Sequence, residues 1–267
     1  MRIHTGFEVI YDCPEPLPMM LMLSVHPSRR DDLETPDWLR TDPMADVRQY
    51  IDGFGNICSR VLAPAGRSTL SADFIIRDTG LVDDHAPDAI QIAAHNLPDE
   101  VLMYLLGSRY CETDRLSDIA WELFGSTPLG WARVQAIVDY VHNHITFGYE
   151  HARVTKGAWD AWEEGRGVCR DYAHLAIAFC RCMNIPARYC TGYLPDIGVP
   201  PVGVMDFAAW MEVWLGDRWY TFDARNNQPR IGRILIARGR DATDVAIANT
   251  FGRAELVGFT VKAKELA

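Results

Sequence analysis

Along the first hundred residues the apolar positions fall in short runs with a period near two. Residues 7–11 (Phe-Glu-Val-Ile-Tyr) and 20–25 (Met-Leu-Met-Leu-Ser-Val) are two such runs, parted by Cys13-Pro14-Glu15-Pro16. Residues 47–52 and 56–62 flank Gly53-Phe54-Gly55, a hairpin signal with glycines available for positive φ. Residues 69–77 form another run before Asp78-Thr79-Gly80. Several short strands at this spacing predict a small β-sandwich-like unit. Residues 83–97 read as a linker, and Pro98 opens a short helix through Leu106.

The period then lengthens. Ser117 is placed to cap a helix holding Ile119, Trp121, Leu123 and Phe124. Thr127-Pro128 is a helix start, and Trp131, Val134, Val138 and Val141 follow at helical spacing, predicting a helix over 128–143. After Gly165-Arg166-Gly167 an Ala/Leu/Ile/Phe-rich run predicts a buried helix from Cys169 to near Asn184, with Pro186 barring its continuation. Finally, residues 213–215 and 218–220 flank Gly216-Asp217, a two-residue hairpin signal. That turn sets a register in which opposed residue numbers sum to 433: Trp214 opposite Trp219, Glu212 opposite Thr221, Trp210 opposite Asp223, Ala208 opposite Arg225. Alternation then places 208, 210, 212 and 214 on one face with 219, 221 and 223, and makes 208 the diagonal neighbour of Asp223, roughly 7–8 Å away.

The whole pattern is α+β, divided into an N-terminal β-rich unit with its linker (1–105) and a core (106–267). With 48% hydrophobic residues, the 267-residue chain can bury a sizeable core. Its net charge of -10 argues against a nucleic-acid partner and against anionic membranes. No run nears the ~18 apolar residues of a membrane span, and the first residues lack an apolar signal segment, so a cytoplasmic location is expected. The seven cysteines form no CxxC pair, and no metal or other cofactor is expected.

Among those cysteines Cys169 stands apart. At a helix N-terminus, unpaired N–H groups and the positive end of the macrodipole are expected to stabilise its thiolate, and its own N–H is available to an oxyanion. Asp171 lies in the same first turn. His174, five residues on, is ~140° round the helix from Cys169 and reads as a buried, hydrogen-bonded residue. His142 and His144 end the preceding helix, where a cation is favoured. His151, in the loop before Cys169, stays open as a base.

The ordered runs Gly167-Val168-Cys169-Arg170-Asp171-Tyr172-Ala173-His174-Leu175, Ile185-Pro186-Ala187-Arg188-Tyr189, Ala209-Trp210-Met211-Glu212-Val213 and Trp219-Tyr220-Thr221-Phe222-Asp223 resemble the bacterial transglutaminase-like superfamily. The resemblance covers about residues 115–250. It implies a papain/transglutaminase-like core, with a nucleophile helix packed on an antiparallel sheet, and the first hundred residues resemble the small domain that often precedes it. It also implies cysteine acyl-transfer or amide-hydrolase chemistry, with Cys169 as nucleophile and Asp223 as the carboxylate orienting a histidine just before Ala209-Trp210. This chain has Ala208 there.

Alanine neither takes a thiol proton nor returns one to a leaving amine. Natural loss of the base, an inactivated form of a histidine-bearing protein, and protonation managed elsewhere all fit that residue, and Arg225 is expected to hold the Asp223 charge where the histidine would sit. The candidate substrate-binding residues are Trp159, Trp162 and Trp210, and the expected substrate is a peptide, a protein or a small amide. A non-catalytic binding module that keeps the cleft is the alternative from another functional class, and an interaction protein working through its β-rich unit is a third.

Overall fold

Alternating burial builds the N-terminal layer. The computed structural model describes residues 1–201, 203 and 205–266. In β1 (Arg2–Cys13) Ile3, Thr5, Phe7, Val9 and Cys13 turn inward. β2 (Leu17–Leu21) follows, then β3 (Arg40–Asp42) and the hairpin of β4 (Val47–Ile51) with β5 (Ile57–Ala63). Gly53-Phe54-Gly55 makes its turn as expected. In β6 (Gly66–Arg77) the buried residues are Ser68, Leu70, Ala72, Phe74 and Ile76, the set facing β1's.

A helical segment comes next: α1 (Asp99–Leu102), α2 (Thr113–Phe124) and α3 (Trp131–His144). Two starts differ from the expected ones. Ser117 lies inside α2 rather than capping it. α3 begins three residues beyond Pro128, because Gly130 turns the chain at φ 82° where the 83–97 segment packs against it. A Cβ on Gly130 would lie 2.4 Å from the Ala89 carbonyl oxygen, which accepts the Trp131 N–H. Residues 83–97 are therefore no free linker. They form a strap bonded to the core, with Asp83 paired to Arg230 and Ile90 to Gly216 through backbone hydrogen bonds.

β7 (Thr146–Phe147), α4 (Ala158–Glu164) and β8 (Arg166–Gly167) lead into α5 (Cys169–Cys182), which Asn184 follows in the left-handed region, φ 59°. α5 packs against α2, α3 and α4 and against the strands β9 (Ala187–Tyr193) and β10 (Ala208–Leu215). With β11 (Arg218–Phe222) and β12 (Ile234–Gly239) these make an antiparallel sheet ordered β11-β10-β9-β12. This is the helix-on-antiparallel-sheet core of the expected α+β class.

The last strands change the division at 105/106. β13 (Ala248–Thr250) pairs with β2, and β14 (Glu255–Leu266) pairs with β1 along its length. The N-terminal sheets are thus β14-β1-β6-β3 and β13-β2-β5-β4, each completed by residues from the far end of the chain. Without them β1 and β2 would be edges with unpaired ladder groups. One continuous apolar cluster joins these sheets to α5. Among the described residues no helix is long and apolar enough to cross a membrane.

Candidate active site

The site is assembled around the start of α5. Gly165 ends α4 in the left-handed region (φ 60°), and β8 runs parallel to β7, delivering Val168 to the N-cap position in extended conformation. Valine has no side-chain acceptor, so the cap bond runs the other way: Asp171 Oδ2 accepts the Val168 N–H at 2.9 Å. Asp171 occupies the space a Cβ on Gly167 would need, 2.6 Å from its Oδ2. Gly167, Cys169 and Asp171 are therefore one local device that fixes where the thiol points.

Cys169 is half-buried, with Sγ 4.0 Å from the Phe207 carbonyl oxygen. Backbone N–H groups of Arg170 and Ala209 face the sulfur and favour the thiolate. Burial is the larger effect and, with the nearby carboxylates of Asp206 and Asp223, pushes the thiol up to about 12. Two backbone N–H groups thus act in the direction expected at a helix end, while burial and the two carboxylates act against them. Asp206, itself raised by burial, was not anticipated from the sequence. Tyr149, exposed at the same mouth, is raised by burial first and then by Asp206 and Cys169, with Arg225 opposing.

Position 208 lies between the two residues that touch this sulfur. The two faces of β10 join different clusters: Ala209, Met211 and Val213 belong to the core with α5, while Ala208 packs with Trp210, Cys190 and Leu235 on the other face. The hairpin register is the expected one from Leu215↔Arg218 to Met211↔Phe222. β11 then stops, so the pairings of Trp210 with Asp223 and of Ala208 with Arg225 do not form. Asp223 instead begins a turn, accepting the Asn226 backbone N–H at 3.0 Å and its side-chain amide at 2.8 Å.

The cation on Asp223 is Arg233, not Arg225. Arg233 donates to Asp223 Oδ2 at 3.0 Å and to Asp83 at 2.9 and 3.0 Å, and lies 5.1 Å from the centroid of the Trp210 ring. Arg225 lies 4.0 Å above the Phe147 ring. No local signal marked Arg233 or Asp83; one sits after a turn and the other in the supposed linker. The Phe207 ring is held between Phe7 of β1, Tyr193 of β9 and Phe259 of β14, so the N-terminal layer anchors the backbone that meets Cys169.

Trp159 and Trp162 pack against each other beneath Arg115, with His144 stacked on Trp162. Trp210 is buried. His142 donates from Nδ1 to the Ala224 carbonyl at 3.0 Å, and His144 from Nε2 to the Trp162 carbonyl at 2.6 Å, so their rings serve different carbonyls. His151 lies 3.5 Å from Glu150. Among the described residues no three His, Cys, Asp or Glu side chains gather as a metal site.

His174 is fully buried, stacked on Tyr110, and its Nε2 accepts the Ala242 N–H at 3.1 Å. Burial drives it well below its ordinary 6.5, against the pull of Asp241. Between that depressed value and 6.5 the unfolded chain binds a proton that the folded chain refuses. Stability is therefore full above 6.5 and is lost as pH falls below it. Urea unfolding between pH 7 and 5 is expected to show this loss, with a shallower slope in His174→Gln.

These features, read together, match known proteins. A model of the transglutaminase-like superfamily matches residues 119–224, which contain Cys169, position 208 and Asp223. Residues 119–224 belong to the transglutaminase-like superfamily. The solved structure of a Cytophaga hutchinsonii protein designated a candidate cysteine protease is similar over 100% of this chain and 91% of its own, at 28% identity and a TM-score of 0.87. The superfamily segment therefore sits in an architecture shared along the whole length, N-terminal layer included. Uncharacterized proteins ML0607 of Mycobacterium leprae and Mb2599c of Mycobacterium bovis are 37% and 30% identical over 120 and 119 residues, 43% and 41% of this chain. The matches span 39% and 38% of those relatives' lengths.

Proposed function

We propose that this chain carries a cysteine acyl-transfer site for an amide or peptide, with Cys169 as nucleophile and Asp223 as the orienting carboxylate. The observation that carries the reading is the position of the Cys169 sulfur. It sits at the first residue of α5 against the backbone of 207–209, beside the position where the resemblance expects the base. The resemblance to a candidate cysteine protease points the same way. In the reaction the sulfur attacks the carbonyl carbon, the thiol proton leaves to a base, and the amine departs with a proton as the thioester forms. The first N–H groups of α5, which lack helical acceptors, are available to the oxyanion. Water or an amine then releases the acyl group.

Ala208 removes the group that would move the proton, and the thiol, pushed up to about 12, stays neutral at pH 7. That observation favours a second reading, a binding site that retains the cleft with little turnover. Incubation with p-nitrophenyl acetate at pH 9 and intact-mass analysis tests the chemistry. One acetyl group on Cys169, absent in Cys169→Ser, supports a nucleophile; acetylation spread over other residues, or none, sinks it.

A further inference from the structure

The outer face of the β13-β2-β5-β4 sheet carries a feature that the thiol site does not use. A groove of about 780 Å³ runs across it, lined by Pro18, Met20, Arg48, Tyr50, Arg60, Leu62 and Phe251 among others. Arg48 and Arg60 are directly opposed across the β4–β5 ladder, and Met20 of β2 is opposed to Arg60 in turn. Both arginines are exposed. Among the described residues neither guanidinium has a hydrogen-bond or ion-pair partner.

Like charges directly opposite on a sheet are unfavourable. They are the more notable in a chain with 36 acidic and 26 basic residues, where a carboxylate neighbour would be the ordinary outcome. Beyond the cations the surface is apolar: Leu62 and Phe251 are 59% and 64% exposed. The Tyr50 hydroxyl donates to Met20 Sδ at 3.1 Å, which ties the phenol to the strand lining the groove. The paired cations lie between Leu62 on one side and Tyr50 on the other, which makes the surface amphipathic.

We infer that this face docks an acidic peptide segment, its carboxylates on Arg48 and Arg60 and its apolar side chains over Met20, Leu62 and Phe251. Charge complementarity selects the occupant. Guanidinium groups bind carboxylates in a two-pronged geometry. A second copy of this net-acidic chain, or an anionic bilayer, would bring broad repulsion along with any local attraction. The groove lies on the N-terminal layer, so this binding is independent of the thiol chemistry.

Fluorescence anisotropy with labelled peptides of alternating Glu-Leu and alternating Lys-Leu tests the inference. The Glu-Leu peptide is expected to bind at least tenfold more tightly than the Lys-Leu peptide, and more weakly as salt rises. The double variant Arg48→Glu/Arg60→Glu is expected to lose at least tenfold in Glu-Leu affinity and to reverse the preference. Leu62→Ser/Phe251→Ser is expected to weaken binding without changing the preference. Circular dichroism checks folding, and Arg48→Gln/Arg60→Gln replaces the double charge reversal if that variant does not fold. Absence of Glu-Leu binding, equal binding of both peptides, or affinity unchanged by either arginine double variant overturns the proposal. Binding to phosphatidylserine vesicles but to neither peptide overturns it in favour of a membrane surface.

Discussion

Ala208→His is expected to raise the rate of Cys169 alkylation by iodoacetamide at pH 7 by about 10² or more, the range that a positioned base contributes. As the chain stands, burial and the Asp206 and Asp223 carboxylates push the thiol up to about 12. The neutral thiol is then the favoured form at pH 7. An imidazolium near the sulfur would oppose the carboxylate field that suppresses ionisation. The Arg170 and Ala209 N–H groups already face the sulfur, so the remaining machinery needs no rearrangement. Ala208→Phe separates chemistry from volume, since it fills the position without a proton acceptor and should give no gain. Adding Asp223→Asn to Ala208→His should remove much of the gain by loosening the ring. Equal reactivity of the histidine and phenylalanine variants would remove position 208 from the mechanism.

The largest expected loss of stability comes from Arg181. Among the described residues this buried guanidinium, near the end of α5, has no carboxylate partner. It donates to the Ala187 carbonyl from Nε and Nη2, to the Leu106 carbonyl and Ser108 hydroxyl from Nη1, and to the Arg240 carbonyl from Nη2. Three separate chain segments meet on one side chain. Arg181→Met keeps the apolar stem but strands several buried acceptors, each costing about 1–3 kcal/mol where water cannot reach it. A loss of about 3–5 kcal/mol is expected, read as a lower urea midpoint with an unchanged slope. Because the clamp is far along α5 from Cys169, variants that remain folded should keep the thiol's alkylation rate. A midpoint within error of the parent would show that water reaches these carbonyls.

Much of the core was legible from local pattern. The buried helix from Cys169, its stop near Asn184, and the β10–β11 register all follow from rules acting over a few residues: glycine turns, helical spacing, alternation. The resemblance singled out Cys169 and position 208, and the hairpin arithmetic held as far as Met211 opposite Phe222. Legibility failed where distant segments decide. Ser117 and Pro128 carried good start signals, but α2 begins ahead of Ser117 at Thr113, and α3 begins beyond Pro128 because Gly130 meets the 83–97 strap. The register rule overran Phe222 because Asp223 finds closer partners in Asn226 and Arg233.

By itself, then, the amino-acid order determined that an α+β chain would present a cysteine at the head of a buried helix, with alanine at the position where the resemblance expects a histidine. Those properties arise from backbone geometry and side-chain period, which are local. Only the tertiary structure decided that the thiol would be neutral, that Asp223 would answer to Arg233 and Asp83, and that residues 248–266 would close the N-terminal sheets. Each of these turns on burial or on a charge brought from far along the chain. Desolvation and Coulomb energy depend on distances in space, which no local pattern encodes.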